Sequence, residues 1–125
     1  GAEEDNPTAL KWYTQAAQKG QLYAQYYLGY LYLYGDDGVS INTKKGLEWM
    51  TKSADAGLDL AQAELGHLYS DGNDEVAQDL KKALHYYQLA VKQDESSAIN
   101  NLGIFYLEGK AGLKQDIKKL YVCLH

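Results

Sequence analysis

Few side chains in the sequence are of the types that carry out catalysis, and their spacing forms no catalytic motif. The three histidines are His67, His85 and His125, and the single cysteine is Cys123. They form neither a His-Glu-x-x-His pair nor the Cys/His cluster of a zinc site. The sequence also lacks the Ser-x-x-Lys and Gly-x-Ser-x-Gly motifs of serine nucleophiles. We therefore predict that the chain is not an enzyme and uses no cofactor.

Four acidic residues in predicted loops are candidates for metal binding. Asp36, Asp37, Asp71 and Asp74 carry carboxylates, which are the ligands that calcium prefers. Their spacing does not match an EF-hand loop, and acidic residues in loops commonly cap helices or face solvent. No metal site is predicted.

The charge and hydropathy of the chain exclude two further classes of partner. The net charge is −5, whereas binding to nucleic acid requires a concentrated basic surface. No apolar run approaches the 18 residues of a transmembrane helix, and no signal peptide begins the sequence.

A single cysteine cannot form an internal disulfide bond. The compartment is left open between periplasmic or secreted and cytoplasmic.

The strongest pattern in the sequence is a stretch that occurs three times with a period of 37 residues. The copies begin at Ala24, Ala61 and Ala98, and each contains Leu-Gly-x-x-Tyr-x-x-Gly. A fixed period between 20 and 50 residues indicates stacked structural repeats. Each glycine lies inside a predicted helix, where it costs about 0.8–1 kcal/mol relative to alanine. We therefore predict that this glycine allows two helices to approach closely.

A second helical pattern alternates with the first. Ala9, Trp12, Tyr13, Ala16 and Ala17 follow the i, i+3, i+4, i+7, i+8 spacing of one apolar helix face, and the pattern returns at the same period. We call the Leu-Gly helices A and these helices B. Seven helices are predicted, near 7–19, 22–34, 43–56, 59–70, 80–93, 96–108 and 117–125.

The predicted boundaries follow from residues that start and stop helices. Asn6 and Pro7 are expected to begin the first B helix, which leaves residues 1–6 disordered or vector-derived. Asn42, Asp79 and Asp116 are expected to cap the later B helices. The predicted domain is one array over 7–125, which consists of a B helix at 7–20 and repeats at 21–57, 58–94 and 95–125, the last incomplete.

These motifs resemble the Sel1-like repeat, a relative of the tetratricopeptide repeat. The long A-to-B turns, such as Gly35-Asp-Asp-Gly-Val-Ser-Ile-Asn42, match the Sel1 pattern. The 34-residue period and shorter turn of the tetratricopeptide repeat fit less well. The resemblance implies an all-α fold, a right-handed α–α superhelix or solenoid of antiparallel helix hairpins with about seven helices.

The resemblance also implies that the A helices line a concave surface that binds a protein or peptide. In the first repeat, Tyr23, Tyr26 and Tyr30 form a stripe at i, i+3, i+7. Two interpretations stay open, because these rings can bind a partner or simply cover the helix at 7–19 or replace a preceding repeat. His67 and Asn100 are candidates for hydrogen bonds to an extended peptide. The candidate residues are Tyr23, Tyr26, Tyr30, Leu33, Tyr34, Ala63, His67, Asp71, Asn100, Ile104 and Glu108.

Two functions remain at this point. The first, implied by the resemblance, is an interaction scaffold or adaptor with a bacterial envelope, secretion or host-interaction role. The second is a structural spacer within a longer array. Such a spacer associates through exposed terminal helices with neighbouring repeats or with a second copy of the chain.

Overall fold

Six helices account for most of the chain that the structure describes. The structure is a computed structural model, which describes residues 2–35 and 38–110. Helices α2 to α6 confirm five predicted helices, with ends within two residues of the prediction. The predicted seventh helix and its cap Asp116 lie outside the described residues. In chain order the helices are α1 Ala2–Gln18, α2 Leu22–Tyr34, α3 Thr43–Asp55, α4 Asp59–Asp71, α5 Leu80–Val91 and α6 Ser96–Glu108.

Helix α1 begins earlier than predicted. It starts at Ala2, so Pro7 does not open the helix as predicted. Pro7 therefore lies inside the helix, although it cannot donate a backbone hydrogen bond there. That residues 1–6 are disordered or vector-derived stays a prediction.

The turn residues act largely as predicted. The Asn42 side chain accepts a hydrogen bond from the backbone N–H of Lys45, and the Asp79 side chain accepts one from Lys82, each at 3.1 Å. Asp94 stands where glycine ends the earlier B helices, and it adopts a left-handed φ of 61°. Aspartate is among the few residues other than glycine that enter this region readily. The turn geometry is therefore kept without a glycine.

The described helices belong to two compact units, residues 1–61 and 62–125. In the first unit, α2 packs against both α1 and α3, and in the second α5 packs against α6. The contact between α1 and α2 has a small buried core, against which larger side chains such as Tyr13 pack. The buried core of that contact is Ala17, Ala24 and Leu28. The core of the second unit is Ala63, Ala83, Tyr87, Ala90, Ala98, Leu102, Phe105 and Tyr106.

The repeated glycine of the A helices allows close approach, as predicted, but by two different means. A methyl group on Gly29 would lie 2.9 Å from both the carbonyl oxygen of Gly46 and the backbone nitrogen of Met50. A methyl group on Gly66 would lie 2.5 Å from the ring of Tyr87. The first glycine therefore lets two backbones touch, whereas the second makes room for a buried aromatic ring.

A hydrogen bond in the second unit shows which donor is missing for a buried amide oxygen, Gln25 Oε1, in the first. Gln93 Nε2 donates to Gln62 Oε1 at 3.0 Å. One repeat earlier, these positions are Ala56 and Gln25. Gln25 Nε2 donates to the carbonyl of Ala17 at 3.0 Å, but its buried Oε1 has no hydrogen-bond partner among the described residues. Alanine has no side-chain donor, so it cannot supply the bond that Gln93 makes.

Replacing Ala56 with glutamine is expected to stabilise the first unit. The new amide can donate to Gln25 Oε1, and satisfying a buried acceptor contributes about 1 kcal/mol. Urea denaturation followed by far-ultraviolet circular dichroism measures the change. Ala56→Met is the matched control, because it adds a side chain of similar length without a donor. Equal stabilities for the two variants would show that the hydrogen bond does not form.

Candidate functional site

Four tyrosines follow one another along α2, and we call them the tyrosine ladder: Tyr23, Tyr26, Tyr30 and Tyr34. The ring centroids of successive tyrosines lie 5.7, 6.4 and 4.6 Å apart. The planes of successive rings are inclined to each other by 56°, 49° and 55°. The ladder is therefore a continuous aromatic series rather than a set of separate rings.

Both flanks of α2 are fixed by its neighbours in the first unit. The ring of Tyr27 lies 4.6 Å from the ring of Tyr13 on α1. Gly29 faces the backbone of α3 at Gly46 and Met50. Gly35 ends the helix with a left-handed φ of 72°, and its N–H donates to the carbonyl of Leu31 at 2.7 Å. These contacts set the rotation of α2 about its axis, and with it the direction of the ladder.

The ladder combines exposed and half-buried rings. Tyr23 is 56% exposed and Tyr34 is 42% exposed, while Tyr26 and Tyr30 are half-buried. Leu33, which was predicted to share this surface, is only 9% exposed and packs against Gly46 of α3. Its prediction as a lining residue is wrong, because the absent side chain at position 46 leaves space that Leu33 fills.

The ladder lies on a helix without a charged side chain. The sequence of α2 is LYAQYYLGYLYLY, which contains no Asp, Glu, Lys, Arg or His. Each tyrosine offers a large apolar ring and one hydroxyl group that can donate or accept a hydrogen bond. The arrangement is suited to apolar contact and to single hydrogen bonds. It has no group for acid–base chemistry near neutral pH.

The predicted residues of the second unit have a different character. Ala63 is 4% exposed and belongs to the core, so its prediction as a lining residue is wrong. His67 is half-buried, and its Nδ1 lies 2.9 Å from the hydroxyl oxygen of Tyr87 on α5. The two rings meet edge to face, with centroids 5.5 Å apart. One ring nitrogen of His67 therefore already bonds within the chain.

The role of Tyr87 was not predicted from the sequence. Burial raises the pKa of its phenol well above the usual value, and the negative charge of Asp71 raises this pKa further. A hydrogen bond with Ser70 acts in the opposite direction. The phenol therefore stays protonated at neutral pH and can donate to Nδ1 of His67. The sequence contained one signal for this contact. Position 87 has a tyrosine, which can donate a hydrogen bond, whereas the equivalent residue one repeat earlier is Met50, which has no donor.

The remaining predicted residues lie at or near the surface of the second unit. Asp71 is exposed at the end of α4, Asn100 is exposed on α6, and Ile104 is half-buried on α6. Glu108 forms an ion pair with Lys110, with 3.1 Å between Oε2 and Nζ. The role of these residues in binding stays a prediction.

The described part of the chain contains neither a metal-binding cluster nor a membrane-spanning helix. Among the side chains that the structure describes, those of residues 9–35 and 38–110, no three of His, Cys, Asp or Glu are placed to hold a metal ion. Asp36, Asp37, Cys123 and His125 lie outside those residues. None of the described helices is both long enough and apolar enough to span a bilayer.

The repeat pattern matches a known family along most of the sequence. The family described as Sel1 repeat matches residues 1–21, 22–58, 59–95 and 96–119. The chain belongs to the Sel1 repeat family. The successive full-length Sel1 repeats start 37 residues apart, and the fold class predicted from the sequence is confirmed.

Two solved Sel1 repeat structures resemble the chain. A Sel1 repeat protein from Oxalobacter formigenes superposes with a TM-score of 0.82 at 31% identity, over 98% of this chain and 47% of its own. The second is c5321, described as a protective antigen present in uropathogenic Escherichia coli strains with an SLR fold. It superposes with a TM-score of 0.80 at 38% identity, over 93% of this chain and 24% of its own. The chain therefore spans less than half the length of either protein.

No curated protein matches the sequence. The family has a general role. Sel1 repeat proteins are generally protein-interaction scaffolds, and the Sel1 repeat fold is typically non-catalytic.

Proposed function

We propose that the chain is an adaptor that binds a segment of another protein on the exposed faces of its A helices, with the tyrosine ladder as the main contact surface. The observation that carries the proposal is the continuous ring-to-ring series along α2, which ends on two well-exposed rings, Tyr23 and Tyr34. The family supports the general role, since Sel1 repeats mediate protein–protein interactions.

The chemistry of tyrosine supports a binding surface. Tyrosine offers a large contact area with few rotatable bonds, so little conformational entropy is lost when a partner binds. Tyrosine is also among the residues that contribute most to the binding energy of protein interfaces. Because Tyr26 and Tyr30 already contact their neighbours in the ladder, their orientation is largely fixed before binding.

The second unit contributes polar groups to the proposed function. Taken by itself, the second unit offers Asn100 and the Nε2 atom of His67, which this proposal assigns as hydrogen-bonding groups for the backbone of a segment bound to that unit. Asp71 adds negative charge at the end of α4, Glu108 lies at the end of α6 as half of an ion pair with Lys110, and Ile104 adds an apolar contact.

A bacterial envelope, secretion or host-interaction role is part of the same proposal. Both similar structures come from bacteria, and one is described as a protective antigen of uropathogenic strains. The chain resembles only part of each protein, so it is proposed to supply the binding module of such a protein.

Removing two rings from the ladder tests the proposal. Tyr26→Ala combined with Tyr30→Ala is expected to weaken binding of a purified partner at least about tenfold, because two interface tyrosines together contribute more than 1.4 kcal/mol. The partner is first identified by a photo-cross-linking amino acid at position 23, and the affinity is then measured by calorimetry. Circular dichroism checks that the variant stays helical.

Trp12→Ala is the matched control for the loss of an aromatic side chain. Trp12 is an exposed aromatic residue of the same unit that lies on α1 rather than in the ladder. It is expected to leave the affinity unchanged. Equal affinity of the double tyrosine variant and the wild-type chain would refute the adaptor proposal.

A second function is favoured by Trp12 itself. Trp12 is 63% exposed, whereas Tyr86 at the equivalent position of α5 is 9% exposed. Tyr86 stacks on Tyr69 of the preceding A helix, with centroids 6.4 Å apart. In a structural spacer, the exposed face of α1 would pack against another helix. Under that alternative, Trp12→Ala abolishes self-association in light scattering while the ladder variant does not.

A further inference from the structure

We infer that one face of α1 is the docking site for a further A helix, which carries Leu-Gly-x-x-Tyr and precedes α1 in the same polypeptide. The inference goes beyond the adaptor proposal, since no residue of the tyrosine ladder lies on α1. It also identifies the helix that the spacer alternative leaves unspecified. We call this surface the α1 face, and its residues are Ala9, Trp12, Tyr13 and Ala16.

The equivalent face of α3 is covered by the A helix that precedes it. Gly46 and Met50 lie against Gly29 of α2, where an added methyl group would be 2.9 Å from a backbone atom of each. The hydroxyl of Ser53 donates to the carbonyl oxygen of Leu22, the first residue of α2, at 2.7 Å. Gly46, Met50 and Ser53 are all buried.

The equivalent face of α5 is covered in the same way by α4. An added methyl group on Gly66 would lie 2.5 Å from the ring of Tyr87, and the ring of Tyr69 stacks on that of Tyr86 with 11° between their planes. An A helix whose glycine precedes its tyrosine by three positions therefore covers this face in each unit. The buried residues of the α5 face are Ala83, Tyr86, Tyr87 and Ala90.

The α1 face is left open in the part of the chain that the structure describes. Trp12 is 63% exposed, whereas Tyr86 at the same position of α5 is 9% exposed. The other residues of the α1 face are exposed or half-buried. The opposite side of α1 is packed as in the other B helices, since Ala17 is fully buried against α2. Only the side that would meet a preceding A helix thus lacks its cover.

The register of the α1 face favours an A helix over other apolar partners. Tyr13 is in the position of Met50 and Tyr87, which both lie opposite the glycine of the preceding A helix. Trp12 is in the position of Tyr86, whose ring meets the A-helix tyrosine. Small residues at positions 9 and 16 permit the close approach that a helix with a central glycine makes. The Leu-Gly-x-x-Tyr motif meets all of these requirements.

The connectivity of the described helices places this A helix ahead of α1 in the same chain. Helix α2 directly precedes the α3 face that it covers, and α4 directly precedes that of α5. A second copy of the chain offers neither α2 nor α4 for docking, because each already lies against its own B helix. A neighbouring repeat is also the usual partner of a repeat in a stacked array.

A copy of α4 grafted ahead of α1 tests the inference in the otherwise intact chain. Residues 58–78, which contain α4 and the turn after it, are copied in place of residues 1–4, so that the copied tyrosine and Trp12 keep the spacing of Tyr69 and Tyr86. Hydroxyl-radical footprinting with mass spectrometry measures how fast Trp12 is oxidised, with Trp49 as the internal reference. The graft is expected to lower this rate at least about threefold, because a stacked repeat buries the apolar face of its neighbour.

The matched control is the same graft with valine in place of the copied glycine. Valine has a higher helix propensity than glycine, so the control segment forms a helix at least as readily. Its larger side chain prevents close approach, and the oxidation rate of Trp12 is expected to equal that of the ungrafted chain. Circular dichroism checks that both grafts add helix.

Three outcomes would overturn the inference. The first is an equal oxidation rate of Trp12 with and without the graft, and the second is equal protection by the valine control. The third is a dimer of the ungrafted chain, seen by light scattering, that Trp12→Ala dissociates, since a second copy would then cover the α1 face. The footprinting involves no bound partner, so its result is independent of the test of the adaptor proposal.

Discussion

Gly29→Val is expected to destabilise the first unit by about 3 kcal/mol or more, because the new side chain has no space between α2 and α3. The nearest atoms are backbone atoms of Gly46 and Met50, at 2.9 Å from the first added carbon. A backbone atom cannot move aside as the end of a flexible side chain can, so the two helices must separate. Separation exposes core residues of this unit, including Met50, which is fully buried.

Urea denaturation of the full chain measures the effect of Gly29→Val. Gln15→Val is the matched control, since it introduces the same β-branched residue at an exposed position of α1 in the same unit. The control is expected to cost less than about 1 kcal/mol, because the intrinsic helix propensities of ordinary residues such as valine differ by at most about 0.7 kcal/mol. A loss for Gly29→Val no larger than that of the control would show that α2 and α3 do not approach closely there.

The equivalent glycine of the second unit is expected to behave differently. Gly66 faces a side chain, the ring of Tyr87, rather than a backbone. Tyr87→Met, which copies the residue present in the first repeat, should therefore rescue part of the damage caused by Gly66→Ala. No substitution at position 50 can rescue Gly29→Val in the same way, since the obstructing atoms belong to the main chain.

Tyr87→Ala is expected to destabilise the second unit by about 3–5 kcal/mol, which is the usual cost of deleting a large buried aromatic side chain. Tyr87 is 1% exposed, and its ring lies edge to face with that of Phe105, with centroids 5.5 Å apart. Tyr87→Phe is the matched variant, because it keeps the ring and removes only the hydroxyl that contacts His67. It is expected to cost about 1 kcal/mol. Equal losses for the two variants would contradict this account of the core.

The raised pKa of Tyr87 adds a dependence on pH with a definite sign. The folded chain holds the phenolic proton more tightly than the unfolded chain, so this stabilisation is fully present below the ordinary tyrosine pKa of about 10. It is lost as the pH rises above that value, at up to about 1.4 kcal/mol per pH unit for one proton. Denaturation between pH 9 and 11 should therefore show a shallower decline for Tyr87→Phe than for the wild-type chain, and parallel declines would contradict the assignment.

The repeat pattern predicted most of the fold because it recorded packing requirements that recur in every copy. The period of 37 residues predicted the ends of α2 to α6 to within two residues. Asn42 and Asp79 were predicted as caps from residue type alone, and both caps are confirmed. The start of α1 was not predicted in this way, because Asn6 and Pro7 are typical of a helix start whereas the helix begins at Ala2.

The candidate site was less predictable, because the exposure of a residue depends on what stands opposite it. Leu33 and Ala63 were assigned to the surface by their position in the repeat, and both are buried. Leu33 is buried because Gly46 leaves space beside it, which no pattern within α2 reveals. The contact between Tyr87 and His67 joins residues of different type from those at the same positions one repeat earlier. Pattern matching between repeats therefore could not find it.

The hydrogen bond between Gln93 and Gln62 indicates which repeat is the better template for a longer engineered array. Duplicating the repeat with Gln25 and Ala56 would install another orphaned carbonyl oxygen with each added module, and the resulting penalty would grow with the length of the array. Duplicating the repeat with Gln62 and Gln93 would instead propagate a matched donor and acceptor. Synthetic arrays built from the second template should thus gain stability with each module more steeply than arrays built from the first.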